Sequence, residues 1–362
     1  MQKKIFLAFI GQAIDQPENV FEIEHGYECW NLKKFGFQDF IKTLQSKIPP
    51  VNDNVLRHYE LETESKDIYG LTEKSFGACS WGLLIPESPE DTVVDPFPET
   101  MFLINLYSPT FLYPAFAGSA FGITRHPHDK HPLEYSSFQN QAQIFKTKQF
   151  VSFFRMLLPQ AQYGLWQFFR SKKWQAEDWR LFVAALLFSG LRDYDNKKNV
   201  FGWQREAADM ATILEALFTA GDAANEEVGY RLRKRLAVLL SNQFPSIEND
   251  VKDLYSQRSA FVHGSFFAKI AKESKQNKVN NLPLPDFNLL YTHKQYVRWA
   301  LIAYLHLAHI TKIQPELFQG FKNVIDILEQ AIIDVRIRQK VLLEVERVLS
   351  LIPILVSGKT LS

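Results

Sequence analysis

The sequence predicts an α+β protein: a mixed, β-rich N-terminal domain followed by an all-α helical bundle with a C-terminal helical extension. Three observations carry that expectation. Before residue 150, short apolar runs are bounded by Gly, Pro, Ser and Asp, the pattern of strands and turns. From Phe150 onward the apolar residues recur at helical spacing, as in helices with one buried face. At 362 residues the chain is also too long for one average domain. The expected domains are residues 1–149, 150–311 and 312–362.

In chain order, residues 5–10, 78–85, 101–107 and 111–123 read as strands, and residues 40–47 as a helix with Asp39 as its N-cap. Lys3 and Lys4 before the first apolar run imitate a signal peptide. The run stops at Gly11 and Gln12 without a small-x-small cleavage site, so a first buried strand is the better reading. His126, His128, Asp129 and His131 suggest a metal cluster, but Pro127 and Pro132 make the stretch a loop and no Cys lies near. Helical stripes follow at Phe153, Phe154, Leu157 and Leu158, then Trp179, Phe182, Val183, Leu186 and Leu187, then Met210, Ile213, Leu214, Leu217 and Phe218.

Residues 228–240 carry Val228, Leu232, Leu236, Leu239 and Leu240 on one side, with Arg231, Arg233, Lys234 and Arg235 elsewhere as an ordinary charged exterior. Ser246 is the expected N-cap of the next helix and Gly264 its C-terminal stop. A lysine-rich loop over residues 271–285 leads to an apolar helix at about residues 292–311. Its His306 and His309 read as packed or interface histidines rather than metal ligands. About two more helices follow Pro315, with Ile325, Leu328, Ile332 and Val335 as a stripe for core packing or a dimer interface.

Composition narrows the function. A net charge of +1 rules out a chain coated in basic residues, so any nucleic-acid contact must come from a local patch. Cys29 and Cys79, the only two cysteines, form no CxxC pair, which argues against a disulfide framework or a Cys-based zinc site and fits a reducing cytoplasm. No segment reads as membrane-spanning: residues 296–310 contain Arg298, His306 and His309, and residues 101–118 are broken by Asn105, Pro109 and Pro114. P-loop, GxGxxG, GxSxG and HExxH motifs are absent, which weakens NTPase, dehydrogenase, hydrolase and zinc-protease readings.

The chemistry concentrates in LYSQRSAFVHG, residues 254–264. Projected at about 100° per residue, Ile247, Val251, Leu254, Tyr255 and Val262 share one face and should meet the core. Arg258 falls in the middle of that stripe. A guanidinium there cannot lose its charge, so it needs an anion or several acceptors. His263 lies about 140° away around an ideal helix. The two side chains can converge if Arg258 reaches around, if the helix loosens before Gly264, or if a second subunit completes the site. A purely structural alternative pairs Arg258 with a buried acid and leaves His263 as a helix cap. Histidine is otherwise the side chain best suited to exchange protons near neutral pH.

The pattern Leu254-Tyr255-x2-Arg258-Ser259-x3-His263-Gly264 resembles the HEPN superfamily, and particularly its Apea-like branch. The upstream helices and the Phe244-Pro245-Ser246 lead-in support the resemblance, which covers about residues 175–311. It implies a compact helical bundle, a homodimer with two Arg-x4-His motifs facing one another, and metal-independent endoribonuclease activity without a cofactor. His263 would handle the proton of the attacking 2′-hydroxyl or of the leaving 5′-oxygen. Arg258 would hold the scissile phosphate, and products would carry a 2′,3′-cyclic phosphate. Ser259 takes the place where many active members have Asn, Asp or His. Lys269, Lys272, Lys275 and Lys278 follow the motif and could track RNA phosphates, or form a solvated loop. Some members bind RNA or nucleotides without cleaving. The implied setting is bacterial defence against phage or a growth-arresting toxin system, with the N-terminal domain sensing or selecting a target.

Overall fold

The computed structural model describes residues 4–10, 20–22, 26–48, 76–77, 79–86, 97–107, 114–119, 122–125, 152–153, 156–157, 180–181, 183–185, 187–188, 191, 200–219, 227–265, 272 and 287–352. The chain divides into two compact units, one of Met1–Met101 with Leu112–Arg155, the other of Phe102–Phe111 with Met156–Ser362. The described elements are those of an α+β protein.

In the first unit the strands are β1 (Ile5–Ile10), β2 (Val20–Glu22), β3 (Glu28–Asn31), β4 (Cys79–Ile85), β5 (Pro114–Ser119) and β6 (Gly122–Arg125). They form one antiparallel sheet in the order β2-β3-β4-β1-β5-β6. β1 is interior, with Leu7 opposite Leu83 on one side and Ala117 on the other. Phe6, Leu7, Ala8 and Phe9 are all buried, which is why the strand is an unbroken apolar run rather than an alternating one. Alternation still sorts the two faces. Phe6 and Ala8 join Trp30 and Leu84 against Phe40, Ile41 and Leu44 of helix α1 (Phe37–Lys47). Phe9 stacks on Trp81 with ring centroids 4.3 Å apart. Gly82 is required here, because a Cβ on it would sit 2.2 Å from Cζ of Phe6.

Several local expectations are corrected. Residues 101–107, expected as a strand, belong to helix α2 (Phe97–Tyr107). Phe102 through Tyr107 are buried without a gap, and an apolar run closed in on every side has no periodicity to distinguish helix from strand. Pro98, in the first turn where no backbone donor is needed, was the usable helical signal. α1 begins earlier than expected, with Gly36 at the N-cap and Asp39 inside the first turn, where its charge complements the helix dipole. β2 and β3 were not anticipated, being three and four residues long and carrying Glu22 and Glu28.

The helices of the second unit are α3 (Val200–Phe218), α4 (Val228–Leu240), α5 (Ile247–Val262), α6 (Phe287–Ile313), α7 (Val324–Ile333) and α8 (Val335–Leu349). Helical residues also occur between positions 152 and 188. There Phe153 and Leu157 are buried as expected, but the next stripe is shifted: Leu181, Ala184, Ala185 and Phe188 are buried while Val183 and Leu187 are half-buried. Phe154, Leu158, Trp179, Phe182 and Leu186 lie outside the described residues.

α6 is the central post. Every residue from Gln295 to Leu307 is buried, and α3, α4, α5, α7 and α8 all pack on it. Each fully buried Leu or Ile contributes about 1.5–3 kcal/mol relative to exposure. Two buried cations are accommodated by specific acceptors. Arg298 donates to the backbone carbonyls of Leu106 and Tyr107 at the end of α2, and to Oε1 of Gln295 at 2.9 Å. Arg235, expected on the charged exterior of α4, is instead buried. It pairs with Glu329 of α7 and donates to the carbonyl oxygen of Phe218 that ends α3. His306 is a packed histidine, as expected, with its Nε2 3.2 Å from Glu344 of α8.

Asp334 separates the last two helices. It accepts from the backbone N–H of Arg336 at 2.8 Å and so caps α8, while its own N–H closes α7 on the carbonyl of Gln330. The expected continuous stripe through Val335 is broken there. Ile325 and Leu328 are buried, Ile332 is half-buried and Val335 is exposed, because the helix axis restarts one residue before it. No helix among the described residues is long and apolar enough to cross a membrane.

Candidate functional site

The candidate site is built on α5, which packs against α3 and α4 and touches α6. Its N-terminal half is firmly seated. Ile247, Val251 and Leu254 are buried at helical spacing, and Asp250 accepts hydrogen bonds from the hydroxyls of Tyr296 on α6 and Ser246. Burial and the Asp250 carboxylate together push the Tyr296 hydroxyl well above its ordinary pKa. Ser246 does occupy the N-cap position, but its side chain donates to Asp250 and caps no backbone N–H.

Beyond Leu254 the helix rises out of the core. Tyr255, Arg258, Ser259, Ala260 and Phe261 are half-buried, and Val262, expected in the core, is exposed. The apolar stripe ends one turn early, leaving Arg258 at the edge of the core rather than inside it. Its guanidinium finds the acid its position demanded: Nη2 lies 3.4 Å from Oε2 of Glu215 on α3, with the side chains 27% and 18% exposed. The contact is a single approach rather than a bidentate fork, and among the described residues the buried Nε of Arg258 has no hydrogen-bond partner.

Tyr255 completes the cluster. Its hydroxyl and the Glu215 carboxylate influence each other's titration, its ring centroid is 5.8 Å from Cζ of Arg258, and its ring faces Gly229 of α4. Burial raises the pKa of Glu215, with the Arg258 charge and the nearby Tyr255 hydroxyl opposing it. Burial likewise raises Tyr255, aided by the neighbouring carboxylate. Glu215 was missed by sequence reasoning. The available signal was an acid set among Ile213, Leu214, Leu217 and Phe218, where burial of one flank would oblige it to find a partner.

His263 stands apart from this cluster. It is the C-cap of α5, exposed, with its backbone N–H on the carbonyl of Ser259 at 3.0 Å. Among the described residues its imidazole has no hydrogen bond or ion pair. Gly264 follows with φ +70°, the left-handed conformation that ends a helix and favours glycine. α5 is regular up to Val262, so no loosening of its last turn swings His263 toward Arg258. Ser259 is half-buried between them in sequence and contributes its carbonyl to the cap. Of the expected RNA-tracking lysines, Lys272 is exposed. Lys269, Lys275 and Lys278 lie outside the described residues, as do His126, His128, Asp129 and His131. Among the described residues no group of three or more His, Cys, Asp or Glu is placed to hold a metal ion. Cys29 and Cys79 are buried free thiols, and burial pushes the Cys29 thiol far above its ordinary range, the opposite of a reactive thiolate.

No protein-family model, curated protein or solved structure matches the chain.

Proposed function

We propose that the chain is a metal-independent endoribonuclease whose site is completed by a second copy of itself. His263 takes the proton of the attacking ribose 2′-hydroxyl, or gives one to the leaving 5′-oxygen. Arg258 binds the scissile phosphate and stabilises the charge that grows on it. The 2′-oxygen displaces the 5′-oxygen at phosphorus, leaving a 2′,3′-cyclic phosphate and a 5′-hydroxyl. Ser259 borders the site as a polar neighbour. The HEPN resemblance of residues 254–264 suggests this chemistry.

The observation that carries the reading is the exposed imidazole of His263 at the end of a regular helix, without a hydrogen bond or ion pair among the described residues. The second copy belongs to this reading because Glu215 of α3 engages Arg258, and five residues along a regular helix turn His263 about 140° away from it. The N-terminal unit would select or sense a target, and growth arrest in a toxin or antiphage system is the setting the resemblance suggests. The test is incubation of wild type and His263→Ala with total cellular RNA in excess EDTA, followed by mapping of new ends. Wild type should cleave to cyclic phosphate and the variant should not; equal cleavage by both removes His263 from the mechanism.

A second reading is favoured by the Arg258–Glu215 pair. With its charge already matched inside the chain, Arg258 would serve a module that binds RNA or a nucleotide without cutting it. Absence of cleavage by wild type, with retained RNA binding, would put this reading first.

A further inference from the structure

His306 lies inside the helical unit and plays no part in the cleavage reading. It is 1% exposed on α6, and its Nε2 stands 3.2 Å from Oε2 of Glu344 on α8. A carboxylate only accepts, so Nε2 carries the ring proton of the neutral imidazole and donates it to Glu344. Nδ1 then holds the lone pair and is the one place where a second proton can go. Among the described residues that atom is buried and has no hydrogen-bond partner. A proton added there makes a buried cationic donor with nothing to accept from it, which a closed helical interface tolerates poorly.

The surroundings give only partial relief. Glu344 favours the imidazolium, but Nη1 of Arg347 approaches the same carboxylate oxygen at 3.8 Å. His309, one turn along α6 and half-buried, opposes a charge on His306. Glu344 and Arg347 of α8 and His309 of α6 are the charged groups that act on the ring, and burial outweighs them in holding it below its ordinary pKa. Interior charges on the other helices packed against α6 have their own partners: Arg235 of α4 with Glu329 of α7, Glu215 of α3 with Arg258, Glu206 of α3 with Lys294, and Asp250 of α5 with the Tyr296 hydroxyl.

α8 is the element placed to respond. It supplies both Glu344 and Arg347, buries Val341, Val345, Val348 and Leu349 against the bundle, and follows α7 after the single residue Asp334. Its other face is open, with Gln339, Leu343, Glu346 and Arg347 exposed.

We propose that His306 and Glu344 form an acid-released latch between α6 and α8, in which protonation of Nδ1 favours a local opening that lifts α8 from α6 and lets water reach the imidazolium. The inference is independent of the ribonuclease reading. Opening returns the imidazole to its ordinary pKa of 6.5, above that of the closed state, so the open form takes up the proton first and gains as pH falls. With the closed form largely unprotonated, the opening constant should rise up to about tenfold between about pH 7.5 and about pH 5.5.

The test is amide hydrogen exchange of the full-length protein at those two pH values, read by mass spectrometry and corrected for intrinsic exchange rates. In wild type, α8 amides should open more readily than those of α3 at both pH values, and their opening constant should rise about five- to tenfold on acidification. His306→Gln, which can still donate to Glu344 but does not titrate, should hold the α8 value within about twofold. His309→Gln should keep the wild-type response, which excludes the neighbouring imidazole as its source.

An α8 opening constant that stays flat or falls on acidification of wild type overturns the latch, and wild type decides this even if a variant fails to fold. Opening of α8 and α3 in one step also overturns it, because only the stability of the whole unit would then respond to pH. Retention of the full response in His306→Gln, or its loss in His309→Gln, takes the switch away from His306 and has the same consequence.

Discussion

Removing the exposed acid of the Arg235–Glu329 pair should harm the protein more than removing its buried base. Arg235 is 2% exposed and Glu329 45% exposed by side chain. In Arg235→Met the apolar stem is largely preserved, Glu329 turns to water, and the carbonyl of Phe218 loses its side-chain donor. The main cost is that unsatisfied acceptor, about 1–3 kcal/mol. In Glu329→Ala a guanidinium that cannot deprotonate stays buried without its carboxylate. Breaking a fully buried pair in that way costs about 3–5 kcal/mol, and the half-exposed Glu329 puts the loss here at the lower end of that range. The assay is urea unfolding followed by tryptophan fluorescence, in which the buried Trp299 of α6 reports on the helical unit. Glu329→Ala should lower the midpoint more than Arg235→Met. An equal or larger loss in Arg235→Met would refute the argument, because it would mean that the arginine's charge is not stranded when the acid is gone.

Two titrations give further checks. Burial holds Glu215 above its ordinary 4.5, so the native state keeps its proton to higher pH than the unfolded chain. Stability from this group is therefore full at low pH and lost as pH rises from about 4.5 through the folded value. Glu215→Gln should gain on wild type between about pH 4 and about pH 7 in urea midpoint; a constant difference would remove Glu215 from the account. His306 is held below its ordinary 6.5 by burial, against the pull of Glu344 and with Arg347 and His309 adding to the lowering. The unfolded chain takes up that proton first, so stability is lost as pH falls from about 6.5. His306→Gln should lose less stability than wild type on acidification to about pH 5.5, and an unchanged pH slope would contradict the sign.

How much could be read in advance depended on whether the cause was local. β1, β4 and α4 were legible because a strand or an amphipathic helix writes its period into consecutive residues. The stop at Gly264 was legible because left-handed backbone favours one residue type. α2 was misread because complete burial erases the period that would have named it. Val262 was misplaced because a helical projection gives direction around the axis and says nothing of where the covering helices end.

The charged residues divide in the same way. Sequence alone established that Arg258 needed an acceptor, since an arginine beside Leu254 cannot shed its charge. Only the tertiary structure decided that Glu215 answers it and that Tyr255 stands beside the pair. Arg235 makes the point more sharply, because its partner lies 94 residues away and nothing in the composition of α4 separates it from Arg231 or Arg233. Helical period states which residues share a face. Which face is covered, and by what, is set by elements distant in the chain, and that is where the partners of Arg235 and Arg258 come from.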